Sequence, residues 1–411
     1  MADASNSDHY TIITADSHAG GSHAQYREYL EERYLEDFDA WRAAYVNPYK
    51  DLAPGADRRL RNWDDDMRNS QQDADGVVGE VIFPNTVPPF FPGFVLFAAP
   101  PKPEDYEHRL AGIRAHNRWL VDFCGRFPER RAGIGQIFMN DIDDAIEDVI
   151  WIKEHGLRGG MLIQPVPPDA HDYIRPLNDP EYDRLWAVCQ DLEIPVNSHG
   201  GVGSPSYPAF PSSTILQIQE LLFYTHRPLV WLLLSGVFER FPRLEFVLTE
   251  QGGGWLREFS RSLDALIEGV RSGSTGELRF TGDMAPPRLA SEYIHQNVYL
   301  GCSFASKWDV EHRDVVAEGH WMWGSDFPHD EATSPYSREH LRISMQDVPT
   351  DEKRELLAGN AARLYDFDLD ALAGPAERYG PTVAELATPL EALPEHPNMA
   401  LLGARGDARR S

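Results

Sequence analysis

Cysteine is scarce in this sequence: Cys124, Cys189 and Cys302 are the three among 411 residues. None stands in a C-x-x-C spacing, which argues against a disulfide framework and fits a reduced, cytoplasmic setting. Long apolar runs are missing too. The longest, Leu229 to Val237, falls well short of the ~18 residues that cross a bilayer. Met1 to Asp8 is polar, with neither a charged n-region nor an apolar core, so no secretory signal is visible. Basic residues are outnumbered: 38 Lys and Arg face 65 Asp and Glu, for a formal net charge of -27. That balance argues against nucleic acid or an anionic membrane as a partner. There is no internal repeat and no low-complexity tract.

What is present is a strand–helix alternation. Eight short apolar or β-branched runs can be read: Tyr10–Thr14, Glu80–Phe83, Gly133–Phe138, Gly160–Ile163, Ile194–Asn197, Glu245–Leu248, Asn297–Leu300 and Trp321–Trp323. Each is followed by a helical pattern, which implies a parallel sheet buried on both faces. The expected fold is a distorted (β/α)8 barrel with long insertions. Helices are expected at Asp143 to His155, from Asp179-Pro180 to about Leu192, and from about Thr214 to Phe238. The barrel is expected over residues 1–370. From 371 to 411 the chain turns Pro- and Ala-rich and reads as an extended tail, docked on a neighbour up to about Met399 and loose beyond Gly403. Insertions at 20–57, 85–102 and 200–213 interrupt the alternation, and loops this long are usually functional.

Four strand ends carry an acid, an imidazole or both. Asp16-Ser17-His18 follows the first run, Asn197-Ser198-His199 the fifth, Thr249-Glu250 the sixth, and Ser325-Asp326-Phe327-Pro328-His329 the eighth. In a (β/α)8 barrel such ends converge on one mouth, where active sites sit. Asp16 and His18 share a face of an extended segment, so both can grip one ion. With His199 and Asp326 they make a mixed nitrogen and oxygen set of the kind that holds Zn, Mn or Fe. Glu250 reads as a general base, a further ligand, or a partner of an Arg such as Arg257. His329 reads as a ligand, an acid–base group or a hydrogen-bond partner of Asp326. The Pro-rich loop that Asn85 opens carries Phe90, Phe91 and Phe94, which suit either a substrate pocket or a subunit contact. Asn85, Phe90, Phe91 and His226 are the candidate pocket residues. No Arg stands at a strand end to anchor a substrate carboxylate.

The stretches Ala15–His18, Pro195–His199, Ser235–Pro242 with Leu244–Trp255, Gly324–His329 and Gly359–Tyr365 together resemble the amidohydrolase-related branch of the amidohydrolase superfamily. That branch includes aminocarboxymuconate semialdehyde decarboxylase and the resorcylate-type decarboxylases. The resemblance spans roughly residues 10–367 and implies a distorted (β/α)8 barrel with one divalent metal. Two positions depart from the pattern. Asp16 stands where the family's first strand has H-x-H or E-x-H, and Glu250 stands where its decarboxylases place a His. The resulting carboxylate-rich set also resembles that of a few members that are non-haem diiron monooxygenases.

The expected function is therefore a metal-dependent hydrolase or non-oxidative decarboxylase of a small, largely apolar or aromatic substrate. It would use one Zn or Mn per chain, and the chain is expected to form a homo-oligomer, a dimer. The alternatives are an oxygenase with two Fe on the same barrel, and a barrel that binds a ligand without catalysis.

Overall fold

The computed structural model describes residues 8–47, 56–93 and 98–406. Residues 48–55 of the first insertion, Phe94 of the second and the chain beyond 406 lie outside the described residues. Eight parallel strands pair in chain order: β1 (Ile13–Ala19), β2 (Gly79–Pro84), β3 (Arg131–Gln136), β4 (Gly160–Leu162), β5 (Val196–His199), β6 (Phe246–Thr249), β7 (Val298–Ser303) and β8 (Trp321–Gly324). The ring closes between β8 and β1. Asp326 N–H donates to Asp16 O at 2.9 Å and His18 N–H to Phe327 O at 2.7 Å. The expected (β/α)8 barrel is the fold. Its strands are buried along nearly their whole length because both faces are covered, the inner by each other and the outer by helices.

The helices follow their caps. Ile142–Glu154 starts at Asp141, whose side chain accepts from Asp143 N–H and Asp144 N–H, and stops before Gly156 at φ 75°. Asp183–Asp191 is preceded by a single 3₁₀ turn, Pro180–Tyr182, that Asp179 caps. The continuous helix expected from about Thr214 to Phe238 is instead three: Ser213–Thr225, Arg227–Leu234 and Val237–Arg240. Pro228 starts the second and Gly236, at φ 74°, precedes the third, so each break falls where the backbone cannot continue the helix.

The described part of the first insertion is mostly helical. His23–Tyr29 and Leu35–Ala44 bury Tyr26 and Phe38 and pack over the long helix Tyr106–Gly125. The segment after the barrel also differs from expectation. It forms three short helices, Leu369–Tyr379, Val383–Ala387 and Met399–Gly403, and packs on its own chain. Tyr10 N–H donates to Pro381 O at 2.9 Å, Val383 N–H to Asp8 O at 2.8 Å, and Leu401 and Ala404 pack on Ile343. Beyond Gly403, Ala404 is fully buried. Among the described residues no helix is long and apolar enough to cross a membrane.

Candidate metal centre and adjoining pocket

The strand ends deliver their polar residues to one point. Parallel register sets His199 of β5 beside Thr249 of β6, so Glu250 emerges one residue above the imidazole. Between β1 and β2 the register shifts between Thr14 and Ser17, a local bulge that re-aims Asp16. Gly324 makes room for that turn, since a Cβ there would stand 2.8 Å from the Asp16 Cβ. Glu250 and Asp326 both occupy the left-handed region, at φ 54° and 65°. For residues other than glycine that conformation costs on the order of 1 kcal/mol, and such strain clusters at functional sites. A Cβ on Gly200 would collide with the Glu250 carbonyl, so glycine lets that loop approach β5 closely.

Asp16, His18, His199 and Asp326 are each 0% exposed. His18 Nε2 lies 3.3 Å from Asp16 Oδ1 and 3.2 Å from Asp326 Oδ1. His199 Nε2 lies 3.5 Å from Asp16 Oδ1, and its Nδ1 3.4 Å from Glu250 Oε2. One ligand atom from each of Asp16, His18, His199 and Glu250 falls within 4.8 Å of all the others; His18, Asp326 and His329 form a second such set, and Glu250, Asp326 and Glu331 a third. Asp16 Oδ1, His18 Nε2, His199 Nε2 and Asp326 Oδ2 are buried without a hydrogen-bond partner. Buried polar atoms are almost always satisfied, so the three orphans of Asp16, His18 and His199 gathered around Asp16 Oδ1, with the Asp326 carboxylate beside His18, fit a shared cation.

The titrations carry the same tension. Burial alone would raise Asp16, but His18 and His199 outweigh it and hold the carboxyl well below its usual range. Burial and the charge of His329 pull His18 down, yet the neighbouring Asp16 and Asp326 carboxylates leave it raised. Glu250 is pushed up to about 8 by burial and then by the charges of Asp326 and Asp16. For His329 burial lowers the pKa, but Asp326 and Glu250 carry it up to about 10. Its hydrogen bonds agree. Nδ1 faces Asp326 Oδ1 at 2.8 Å and Nε2 faces Asn85 Oδ1 at 3.0 Å, so both nitrogens meet acceptors. Asn85 is fixed in turn by donating to Asn62 Oδ1 at 2.6 Å.

A buried ion network stiffens the first strand. Arg68 Nε donates to Glu80 Oε1 at 3.0 Å, Arg68 Nη1 to the His18 carbonyl at 2.8 Å, and Ser17 Oγ to Glu80 Oε2 at 2.9 Å. Arg131 Nε completes it, 3.4 Å from Glu80 Oε1. Ser303, at the end of β7, donates its hydroxyl to Asp16 Oδ2. Reading β7 as ending at Leu300 hides Ser303; its place at a strand end was the available signal. Phe83, at the end of β2, packs on the His199 ring at 4.5 Å between centroids.

Of the other expected residues, Asn85 reaches the cluster through His329. Phe91 lines a pocket with a cavity volume of about 120 Å³, open to solvent, over the ends of β3, β4 and β5. Phe90 turns away, against Phe38, Trp41 and His108, because at φ 66° it reverses direction relative to its neighbour. His226 stacks on Trp255 at 3.5 Å and is not among the residues lining that pocket. Arg257 pairs with Asp314 and leaves Glu250 to the cluster. Arg109 and Gln136, which line the pocket, were not expected from the sequence.

Comparison with known proteins agrees with this architecture. Residues 40–367 match the amidohydrolase family. An amidohydrolase from Mycobacterium avium subsp. paratuberculosis K-10 superposes with a TM-score of 0.64 at 19% identity, covering 87% of this chain and 99% of its own. A dihydroxybenzoic acid decarboxylase from Polaromonas sp. JS666, solved with manganese and the inhibitor 2-nitroresorcinol, gives 0.61 at 17%, covering 87% and 97%. A 5-carboxyvanillate decarboxylase from Sphingomonas paucimobilis gives 0.62 at 18%, covering 87% and 100%. At these identities the likeness to each structure is one of fold.

Proposed function

This chain belongs to the amidohydrolase family, and from that premise we propose that it is a metal-dependent carboxy-lyase or hydrolase, with decarboxylation of a small aromatic acid as the leading reaction. The observation that carries the reading is the set of four buried, unpartnered ligand atoms on Asp16, His18, His199 and Asp326. These residues would hold one divalent ion, Mn or Zn. Two of the similar decarboxylases, both under 20% identical, were solved with manganese. Nothing in the comparisons supports the two-iron oxygenase alternative.

The bound ion would supply a Lewis acid that draws a substrate oxygen into the mouth and polarises it. The rest falls to the chain. His329, protonated between Asp326 and Asn85, is a fixed positive charge beside the reacting group. Glu250 stands at the open side of the cluster, its side chain 21% exposed. With Asp16 and Asp326 close by, it favours the protonated form. In decarboxylation the C–C bond breaks, CO2 leaves, and the electron pair on the ring carbon needs a proton. Glu250 is the residue positioned to deliver it, where the resembled decarboxylases carry a His. In the hydrolytic variant the same carboxyl would take a proton from water instead. Phe83, packed on the His199 ring, shields the cluster on one side.

The finer expectations belong to the same reading: a small-molecule substrate, a cytoplasmic setting and a homodimer. The helix Ser213–Thr225 supports the dimer, because Ile215, Ile218 and Phe223 are 71, 63 and 67% exposed.

The test loads the protein with Mn or Zn and measures ion content and CO2 release with 2,6-dihydroxybenzoate, 5-carboxyvanillate and simpler hydroxybenzoates. About one ion per chain and turnover lost in His199→Ala and Asp326→Ala are expected. A wild-type chain that binds no divalent ion, or an Asp326→Ala variant with full ion content and full turnover, refutes the assignment.

A further inference from the structure

Arginine is rarely buried without a carboxylate. Arg68 and Arg131 obey that rule, sharing Glu80. Arg109 does not. It is 6% exposed, on the first turn of the helix Tyr106–Gly125, and no carboxylate among the described residues lies within ion-pair distance of it. Its guanidinium is stacked over Phe91, 4.2 Å from the ring centroid, with Phe138 at 5.7 Å. Nη1 donates to the Ala99 carbonyl at 2.9 Å, and Nε is buried with no partner. Burial lowers its pKa to about 10, which still leaves it cationic at neutral pH.

A second orphan lies in the same place. Gln136, the last residue of β3, is 3% exposed, and its Nε2 has no hydrogen-bond partner. Both residues line the pocket over β3 to β5, with Phe91, Phe138 and Leu162 as apolar wall. The pocket reaches the metal-ligand cluster's edge at Gly201 and Val202, just after His199, but none of the ligand residues lines it. Two buried, unpartnered donors on an aromatic-walled pocket call for an acceptor that carries negative charge.

We propose that Arg109, assisted by Gln136, binds an anionic group, a carboxylate, at the end of the substrate remote from the reacting centre. The substrate then has two polar ends: one processed at the acid–imidazole cluster, the other held by Arg109 across an apolar middle. This rests on the reading of the barrel mouth as the active site. Arg109 is a specificity residue here; it does not touch the bond that breaks.

The test uses the whole chain freed of metal by a chelator, with benzoate and its neutral isostere benzamide titrated separately by calorimetry. Wild type should bind benzoate about tenfold more tightly than benzamide, since one charge-assisted pair is at stake. Arg109→Gln should erase that preference and leave benzamide binding nearly unchanged. Arg109→Lys should retain part of it, and Gln136→Leu should weaken it several-fold. Equal binding of the two probes by wild type, or no binding of either, overturns the proposal. So does an Arg109→Gln chain that keeps its preference. So does one that loses both probes equally, because then the side chain only pins the loop through Ala99. If Arg109→Gln fails to fold, the Lys and Leu variants decide in the same way. The titration needs neither ion nor turnover, so its failure is separable from failure of the decarboxylase reading.

Discussion

Glu80 shows how one buried acid supports the centre without entering it. Its carboxylate meets Arg68, Arg131, Ser17 and Gln72, and Arg68 also holds the His18 carbonyl. Burial would raise Glu80, but the two guanidiniums outweigh it and hold its pKa at about 2, against an ordinary 4.5. A folded pKa below the unfolded one means stabilisation that is complete above about 4.5 and lost as pH falls toward about 2. Glu80→Gln should therefore cost roughly 3–5 kcal/mol at pH 7 in urea unfolding, by leaving the buried Arg68 without a carboxylate and Arg131 with Asp65 alone. The gap to wild type should narrow as the pH is lowered from 5 to 3; a gap independent of pH would show that Glu80 is not ionised in the fold. Glu250 is the complementary case, an acid that its neighbours push toward the neutral form. Glu250→Gln keeps the shape and removes the proton. It should keep about one divalent ion per chain and lose about 10²–10⁴ in kcat. An ion lost along with activity would make Glu250 a ligand instead.

At the scale of elements, the Pro-rich loop after β2 separates two adjacent phenylalanines by function. Phe91 is fully buried between the Arg109 guanidinium and Phe138, on the pocket. Phe90 is half-buried in the satellite cluster that the first insertion forms with the helix Tyr106–Gly125. Phe91→Ala should raise KM severalfold with ion content intact. Phe90→Ala should leave KM alone and cost roughly 2 kcal/mol of stability, the area and packing lost from a partly exposed ring. A KM effect confined to Phe90 would reverse that division.

For the whole molecule, the core is the barrel and its helical coat, and the proposed ion is a small part of it. Chelation should leave the far-UV circular dichroism unchanged and lower Tm by a few degrees, as ligand removal does for a chain that folds alone. Unfolding on chelation would mean that the four buried ligand residues cannot be accommodated without a cation. The proposed dimer rests on the helix Ser213–Thr225. If its apolar face joins two copies, Ile218→Glu with Phe223→Glu should shift the mass in solution from dimer to monomer. A wild-type monomer at high concentration would remove the dimer.

The sequence by itself determined that eight strands follow in order, and it marked the candidate ligand residues at or near their ends. Those features are local: an apolar run followed by an acid or imidazole is legible wherever it occurs. It also marked the departures at Asp16 and Glu250. Tertiary structure decided what depends on distant partners. Ser303 meets Asp16 only because β7, β8 and β1 adjoin at the closure. The tail's return to Tyr10 and Ile343 has no periodic signal, because short helices after a Pro-rich stretch resemble a free end. Arg109 reads in sequence as one more charge on a helix. Its burial without a carboxylate follows from where the helix Tyr106–Gly125 lands relative to Phe91 and Phe138, and that placement is set by packing rather than by neighbours in the chain.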